Sequence, residues 1–244
     1  MYGPALEADG EISNGMDVWV KRTDELILEE WYRTGDYHRD HGKGLDCYAV
    51  GRTLGGGAMA PLKDGRLVLG HNFKSCILLD KGPLRISFRL IYAPYKVGLK
   101  EVTESRVITL DAGARFNRIE EIYEGLYPGT EVAAGIVLRA GGELMRDTLK
   151  GILGYWEPQN RDNNDDNGHT AIGIIFPDVM EKIVEQEGHI FGIDRYGQVS
   201  FVYYAGSGWS KGGIENAAIW FGRLKEEKMK LENPLEIEMN SNYE

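Results

Sequence analysis

Cysteine is scarce in this chain of 244 residues. The two present, Cys47 and Cys76, form no Cys-x-x-Cys spacing, which excludes a disulfide framework, a cysteine zinc site and a thioredoxin-type redox motif. No apolar run approaches the ~20 residues that a membrane-crossing helix needs, so membrane insertion is not expected. Positive charge is in deficit: 28 Lys and Arg against 38 Asp and Glu give a net charge of −10 and a pI near 5.1. Such a field repels nucleic acid and anionic membrane, and favours a neutral or cationic ligand or one held in a local basic pocket. The opening residues MYGPALEADG have neither a basic start nor an apolar stretch, so no export signal is read in them.

What is present is strand-like patterning. Apolar segments of four to nine residues are bounded by Gly, Pro, Asn and Asp, which predicts an all-β protein. Strands are expected at 17–21, 25–31, 66–70, 76–80, 84–92, 102–110, 116–123, 131–138, 170–176, 189–193, 199–204 and 235–239. The clearest is LRISFRLIY, where Ile86, Phe88, Leu90 and Tyr92 alternate with Arg85, Ser87, Arg89 and Ile91. Beside it, Val102, Glu104, Arg106, Ile108 and Leu110 alternate less strictly. One helix stands out over 214–231, because Ile214, Ala217, Ala218, Phe221 and Leu224 recur at helical spacing and Asn233 and Pro234 end the pattern. The expected architecture is a large antiparallel β-sandwich with one C-terminal helix, a single domain over 1–244.

The densest chemical signal is DYHRDHGKGLDCY, which places Asp36, His38, Asp40, His41 and Asp46 within eleven residues. Imidazole and carboxylate at this density suit a divalent metal ion or a proton-transfer site. The competing reading is a polar loop whose side chains cap its own turns. In RDNNDDNGH, Asn163, Asp165, Asn167 and Gly168 have the spacing of half a calcium loop, but Ile174 stands where the closing glutamate belongs, which excludes an EF-hand. His169 follows directly, either at a strand mouth or bonded at the core edge. The Gly-rich AGSGWSKGG runs from a strand towards a helix, yet Lys211 is followed by Gly rather than a hydroxyl residue, so a wide turn competes with a phosphate cradle. Among five Trp and thirteen Tyr, Trp156 and Trp209 lie in Gly-rich and polar connections and are expected to face solvent, as flat surfaces for sugar rings.

YGPALE, DYHRDHGKGLDCYAVGRTLGGGAMA, GHNF, ITLDAGARFN, the stretch from VAAGIV to GHTAIGIIFP and YYAGSGWSK together resemble the bacterial domain of unknown function 4861. The resemblance runs from Tyr2 to about Met239. It implies a galactose-mutarotase-like sandwich from polysaccharide-degrading bacteria, encoded beside glycoside hydrolases and polysaccharide lyases and placed in the periplasm or outside the cell. Members are longer at the front, so an N-terminal β region and an export signal are expected to be missing here. The resemblance carries no settled activity. Its motifs make candidates of Glu7, Asp36, His38, Asp40, His41, Asp46, Tyr48, His71, Asn72, Arg115, His169, Trp209 and Lys211.

Two readings follow. In the first, the protein acts on oligosaccharides or polysaccharides by proton transfer, as a lyase or epimerase, with hydrolysis less favoured because no opposed carboxylate pair stands out. Here His38, Asp40, His41, Tyr48, His71, Arg115 and His169 are the catalytic candidates. Arg115, Lys211 or a metal held by Asp36, His38, Asp40 and His41 would neutralise a uronate carboxylate. Glu7, Asn72, Trp156, Trp209 and Lys211 would bind substrate. In the second reading the protein binds carbohydrate without turning it over. A shortened copy that has lost its site is the third possibility.

Overall fold

The computed structural model describes residues 13–159, 166–197 and 199–235. The first strands, β1 (Val20–Lys21) and β2 (Gly44–Leu45), form a small antiparallel ribbon around helix α1 (Leu28–Thr34). Then follow β3 (Gly56–Lys63), β4 (Arg66–Leu67), β5 (Phe73–Lys81), β6 (Arg85–Tyr92), β7 (Tyr95–Val97), β8 (Lys100–Asp111), β9 (Phe116–Glu124) and β10 (Glu131–Val137). The rest are β11 (Glu143–Asp147), β12 (Ile152–Pro158), β13 (His169–Ile175), β14 (Lys182–Gln186), β15 (His189–Arg195), β16 (Phe201–Trp209) and helix α2 (Ala217–Glu232).

Two antiparallel sheets carry the fold. The smaller has five strands in the order β14-β15-β10-β3-β4; the larger has nine, in the order β11-β12-β13-β16-β9-β8-β6-β5 with β7 on β8. Strand periodicity turns alternate side chains of the large sheet towards the small one. Val102, Ile119, Tyr123, Leu153, Tyr155, Ile172, Ile174, Tyr203 and Ala205 thereby join Met59, Val132, Ala134, Ile136 and Ile190 in one core. The chain is an antiparallel β-sandwich with a C-terminal helix, as its patterning predicts.

Helix α2 covers the opposite face of β12 and β13. Asn216 caps it, accepting from the Ile219 amide at 3.0 Å, and Ile152, Trp156, Ala171, Ile175 and Phe116 bury Trp220 and Leu224. Glycine makes the approach possible: a Cβ on Gly173 would stand 2.3 Å from Leu224 Cδ2.

Several elements depart from expectation. Residues 25–31 are not a strand; α1 begins at Leu28, burying Trp31 and leaving Leu26 exposed. Strand β3, GGAMAPLK, was not expected, because a buried run with two glycines and a proline has no two-residue alternation to read. Strands β11, β12 and β14 were likewise missed. The strand expected at 235–239 lies almost wholly outside the described residues.

Candidate functional site

On its inner face the large sheet extends beyond the small one. At Gly56–Ala60 the edge of β3 is bordered by the segment 13–19, a strap that runs over the exposed part of the large sheet. Met16 fixes the strap to β3 from both sides: its amide donates to Leu54 O at 3.2 Å and its carbonyl accepts from Gly56 N at 2.8 Å. Only glycine fits at position 55, where φ is +61° and a Cβ would stand 2.2 Å from Met16 O.

Asn14 fixes the strap to the sheet below. Its Nδ2 donates to Met59 O at 2.9 Å and to Glu104 Oε2 at 2.7 Å, and its carbonyl lies 3.3 Å from both Nη atoms of Arg106. Arg106 in turn bridges two carboxylates, Glu104 at 2.9 Å and Glu121 at 2.5 Å, and all three are fully buried. Tyr95 donates to Glu104, Tyr203 lies 3.3 Å from Glu121, and Arg106 sits over the Tyr92 ring at 5.1 Å. Burial pushes the Glu104 carboxyl up to about 8, the Glu121 charge adding to the effect, and burial raises Glu121 as well. Two carboxyl groups around one guanidinium therefore retain a proton at neutral pH, which leaves the cluster near charge balance.

Between strap and sheet runs a groove. One hollow, of about 180 Å³, has Ser13, Gly15, Met16 and Asp17 on the strap side. Asn72, Phe73, Phe88, Leu90, Tyr92, Arg106, Ile108 and Asn117 line the sheet side. A second, of about 170 Å³, continues the same path, with Trp19, Val20 and Lys21 on the strap side and Arg115, Ser207, Gly208, Trp209 and Gly212 opposite. Strand register explains the continuity. Asn117 pairs with Ala205 and Phe116 with Gly206, the last pair of β9 and β16, so Ser207, two residues beyond Ala205, follows on the face of Asn117, and Arg115 adjoins it just before β9 begins. The Trp19 indole donates to Asp17 Oδ2 at 2.5 Å and packs against Trp31, Tyr32 and Tyr37, stacking on Tyr37 at 5.0 Å.

Of the residues singled out in the sequence, Asn72, Arg115 and Trp209 line this groove. His71 is exposed beside Asn72, edge-on to Tyr95 at 6.3 Å. Trp209 does not face solvent as expected: it is buried, its indole donating to Asn167 O at 2.7 Å beneath Arg22. Trp156 is also buried, on the α2 side of the sheet, where the half-buried His169 ring stacks on it at 5.1 Å. His169 and Trp156 thus stand on the far side of the large sheet from the groove. Lys211 Nζ donates to the Asp166 carbonyl. Tyr48 is buried under Arg139, and burial pushes its phenol well above the usual range. Glu7, Asn163 and Asp165 lie outside the described residues.

The Asp36–Asp46 loop resolves into separate pairs. His41 Nε2 lies 2.9 Å from Asp36, both exposed; His38 Nδ1 lies 3.0 Å from the Asp46 carbonyl, and its ring packs on Tyr37. Asp40 pairs with Arg22 and accepts from the Gly42 and Gly44 amides, closing the turn. The expected convergence of Asp36, His38, Asp40 and His41 on a divalent metal does not occur, and among the described residues no cluster of three or more His, Cys, Asp or Glu gathers to hold one. Sequence reasoning missed Asp17, Trp19, Asn117 and Ser207. The signal for the buried cluster was present: Glu104 and Arg106 share strand parity with Val102 and Ile108.

The model of a family described as a domain of unknown function, DUF4861, matches residues 1–237. A relative, "Uncharacterized protein P7" of Formosa agariphila, is 30% identical over 259 residues, covering 97% of this chain and 63% of that protein. The chain therefore spans somewhat under two thirds of that relative's length. Among solved structures, "Putative kojibiose phosphorylase from human microbiome" matches with a TM-score of 0.40 and 7% identity, over 75% of this chain and 30% of that one. By the extent of the family match, the chain belongs to the domain of unknown function 4861 family.

Proposed function

We propose that the groove between the strap and the large sheet binds an oligosaccharide, and that the protein serves bacterial polysaccharide breakdown in the periplasm or outside the cell. The observation that carries this reading is the make-up of the groove. Phe73, Phe88 and Trp19 supply aromatic surface, while Asp17, Asn72, Asn117 and Ser207 supply donors and acceptors along the same path. Sugar rings present apolar C–H faces with hydroxyl rims, so they call for this mixture. The net charge of −10 argues against nucleic acid. Among the described residues no helix is long and apolar enough to cross a membrane.

Binding without turnover is the reading the geometry favours, since His38, His41 and His169 lie outside the groove walls. Proton transfer of the lyase or epimerase type remains a second reading because one carboxylate, Asp17, does line the groove, with the Trp19 indole fixing its orientation. Incubation with neutral and uronate-containing oligosaccharides, followed by sugar proton NMR, separates the two. Line broadening without conversion is expected. New resonances would replace binding by catalysis, and spectra unchanged for every sugar would overturn the proposal.

A further inference from the structure

The geometry points to an anion subsite at the Arg115 end of the groove, a pocket that takes the carboxylate or sulfate substituent of an acidic sugar. This rests on the reading of the groove as a sugar site and narrows its ligand to an acidic oligosaccharide.

In a chain with ten more acidic than basic residues, Arg85, Arg118, Arg146 and Arg195 each pair with a carboxylate, at distances of 2.5 to 3.3 Å. Arg115, like Arg33, Arg52 and Arg223 elsewhere on the surface, has no ion pair to any described residue, and of these it is the one that lines the groove. It is exposed, and partial desolvation followed by repulsion from Arg223 lowers its pKa from the ordinary arginine value. Lys21, on the opposite wall, donates its Nζ to the Glu25 carbonyl at 2.8 Å, a neutral acceptor that leaves its charge uncompensated. The one neighbouring cation that is neutralised, Arg22, lies over Trp209 and is held by Asp40.

The pocket's walls suit a small anion attached to a ring. Ser207 lines it beside Arg115, and Gly212 carries no side chain to keep a substituent away from the backbone. Trp19 and Trp209 flank the space. Its volume of about 170 Å³ is several times the ~30 Å³ share of one water, enough for a charged substituent and part of its ring. A planar guanidinium matches a carboxylate or sulfate with paired N–H donors, which a lysine does not.

The test starts with the anions alone. Sodium sulfate and sodium acetate are titrated at constant ionic strength, set with sodium chloride, while the Arg115 Nε–H resonance is followed by NMR and assigned through the Arg115→Lys variant. Saturable movement is expected, with affinity falling at least fivefold in Arg115→Gln; the better of the two salts identifies sulfate or carboxylate as the natural substituent. Movement no different from that in chloride would overturn the subsite. Trigalacturonate and its carboxyl-reduced counterpart are then compared by calorimetry. The acid is expected to bind at least tenfold tighter, and Arg115→Gln to abolish that difference between the acid and the neutral sugar. Equal binding of acid and neutral sugar would sink the acidic-sugar assignment and spare the groove. Saturable sulfate or acetate binding without affinity for any sugar would uphold the anion pocket and remove the oligosaccharide reading beneath it.

Discussion

The loop at 36–46 and the buried cluster under the strap contain the same kinds of residue and put them to opposite uses. In the loop, His41–Asp36 and Asp40–Arg22 are surface pairs, each sharing solvent with its partner. In the cluster, Glu104, Arg106 and Glu121 are buried and bonded to one another, with Asn14 bonded to Glu104 and Arg106. Exposed pairs contribute ~0–1 kcal/mol each, whereas a buried charge that loses its counter-ion costs several. Density of titratable residues in a sequence is therefore a poor guide to where the electrostatics matter; burial decides.

The comparison breaks hardest at Arg106. Replacing it by Met strands two buried carboxyl groups, and a loss of about 3–5 kcal/mol in unfolding free energy is expected from urea denaturation at pH 7. Asn14→Ala is next, at about 1–3 kcal/mol, because it removes the amide donated to Met59 and Glu104. Since it also frees the strap, calorimetry should show weakened oligosaccharide binding. An unchanged affinity would mean that the strap does not shape the groove.

The third test uses pH. Because burial raises the Glu104 pKa to about 8, the folded protein holds a proton there that the unfolded chain releases above about 4.5. Stability from this group is thus complete below pH 4.5 and is lost as pH rises towards 8. The thermal midpoint of Glu104→Gln is expected to fall less than that of the parent between pH 5 and 8; parallel profiles would assign the proton elsewhere. The smallest effect belongs to the loop. His38→Ala and His41→Ala are each expected to change stability by no more than ~0.5 kcal/mol and to leave sugar affinity unaltered. A large loss of either would return the loop to the functional site.

The fold was more legible than the site, for reasons that individual residues make plain. Strand β6 announces itself by alternation, and α2 by its spacing and its Asn233–Pro234 ending. Strand β3 is silent because both its faces are covered, so burial leaves no period of two to detect. In β8 the irregular alternation of Val102, Glu104, Arg106 and Ile108 looked like a weak strand; it marks ionic side chains on the core face. The groove was harder still. Asp17, Asn117 and Ser207 lie far apart along the chain and belong to no motif, and only the register of β9 on β16 brings the latter two near each other. Asn72 and Arg115 were found through runs of sequence rather than through any local chemical pattern, and Trp209 through its Gly-rich, polar setting, which places it in the chain but not in the core.

The strap has a kinetic consequence. Asn14 meets Met59, Glu104 and Arg106 across separations of 45, 90 and 92 residues, while the hairpins that form its docking surface close over short loops. Contacts of long range bear a large loop-closure entropy before they return any energy, so they form late. The large sheet must already present Glu104 and Arg106 on adjacent pleats before residue 14 has anything to bind. The ligand groove, having the strap as one wall, is then the last part of this molecule to come into existence during folding and the first to be lost when it opens.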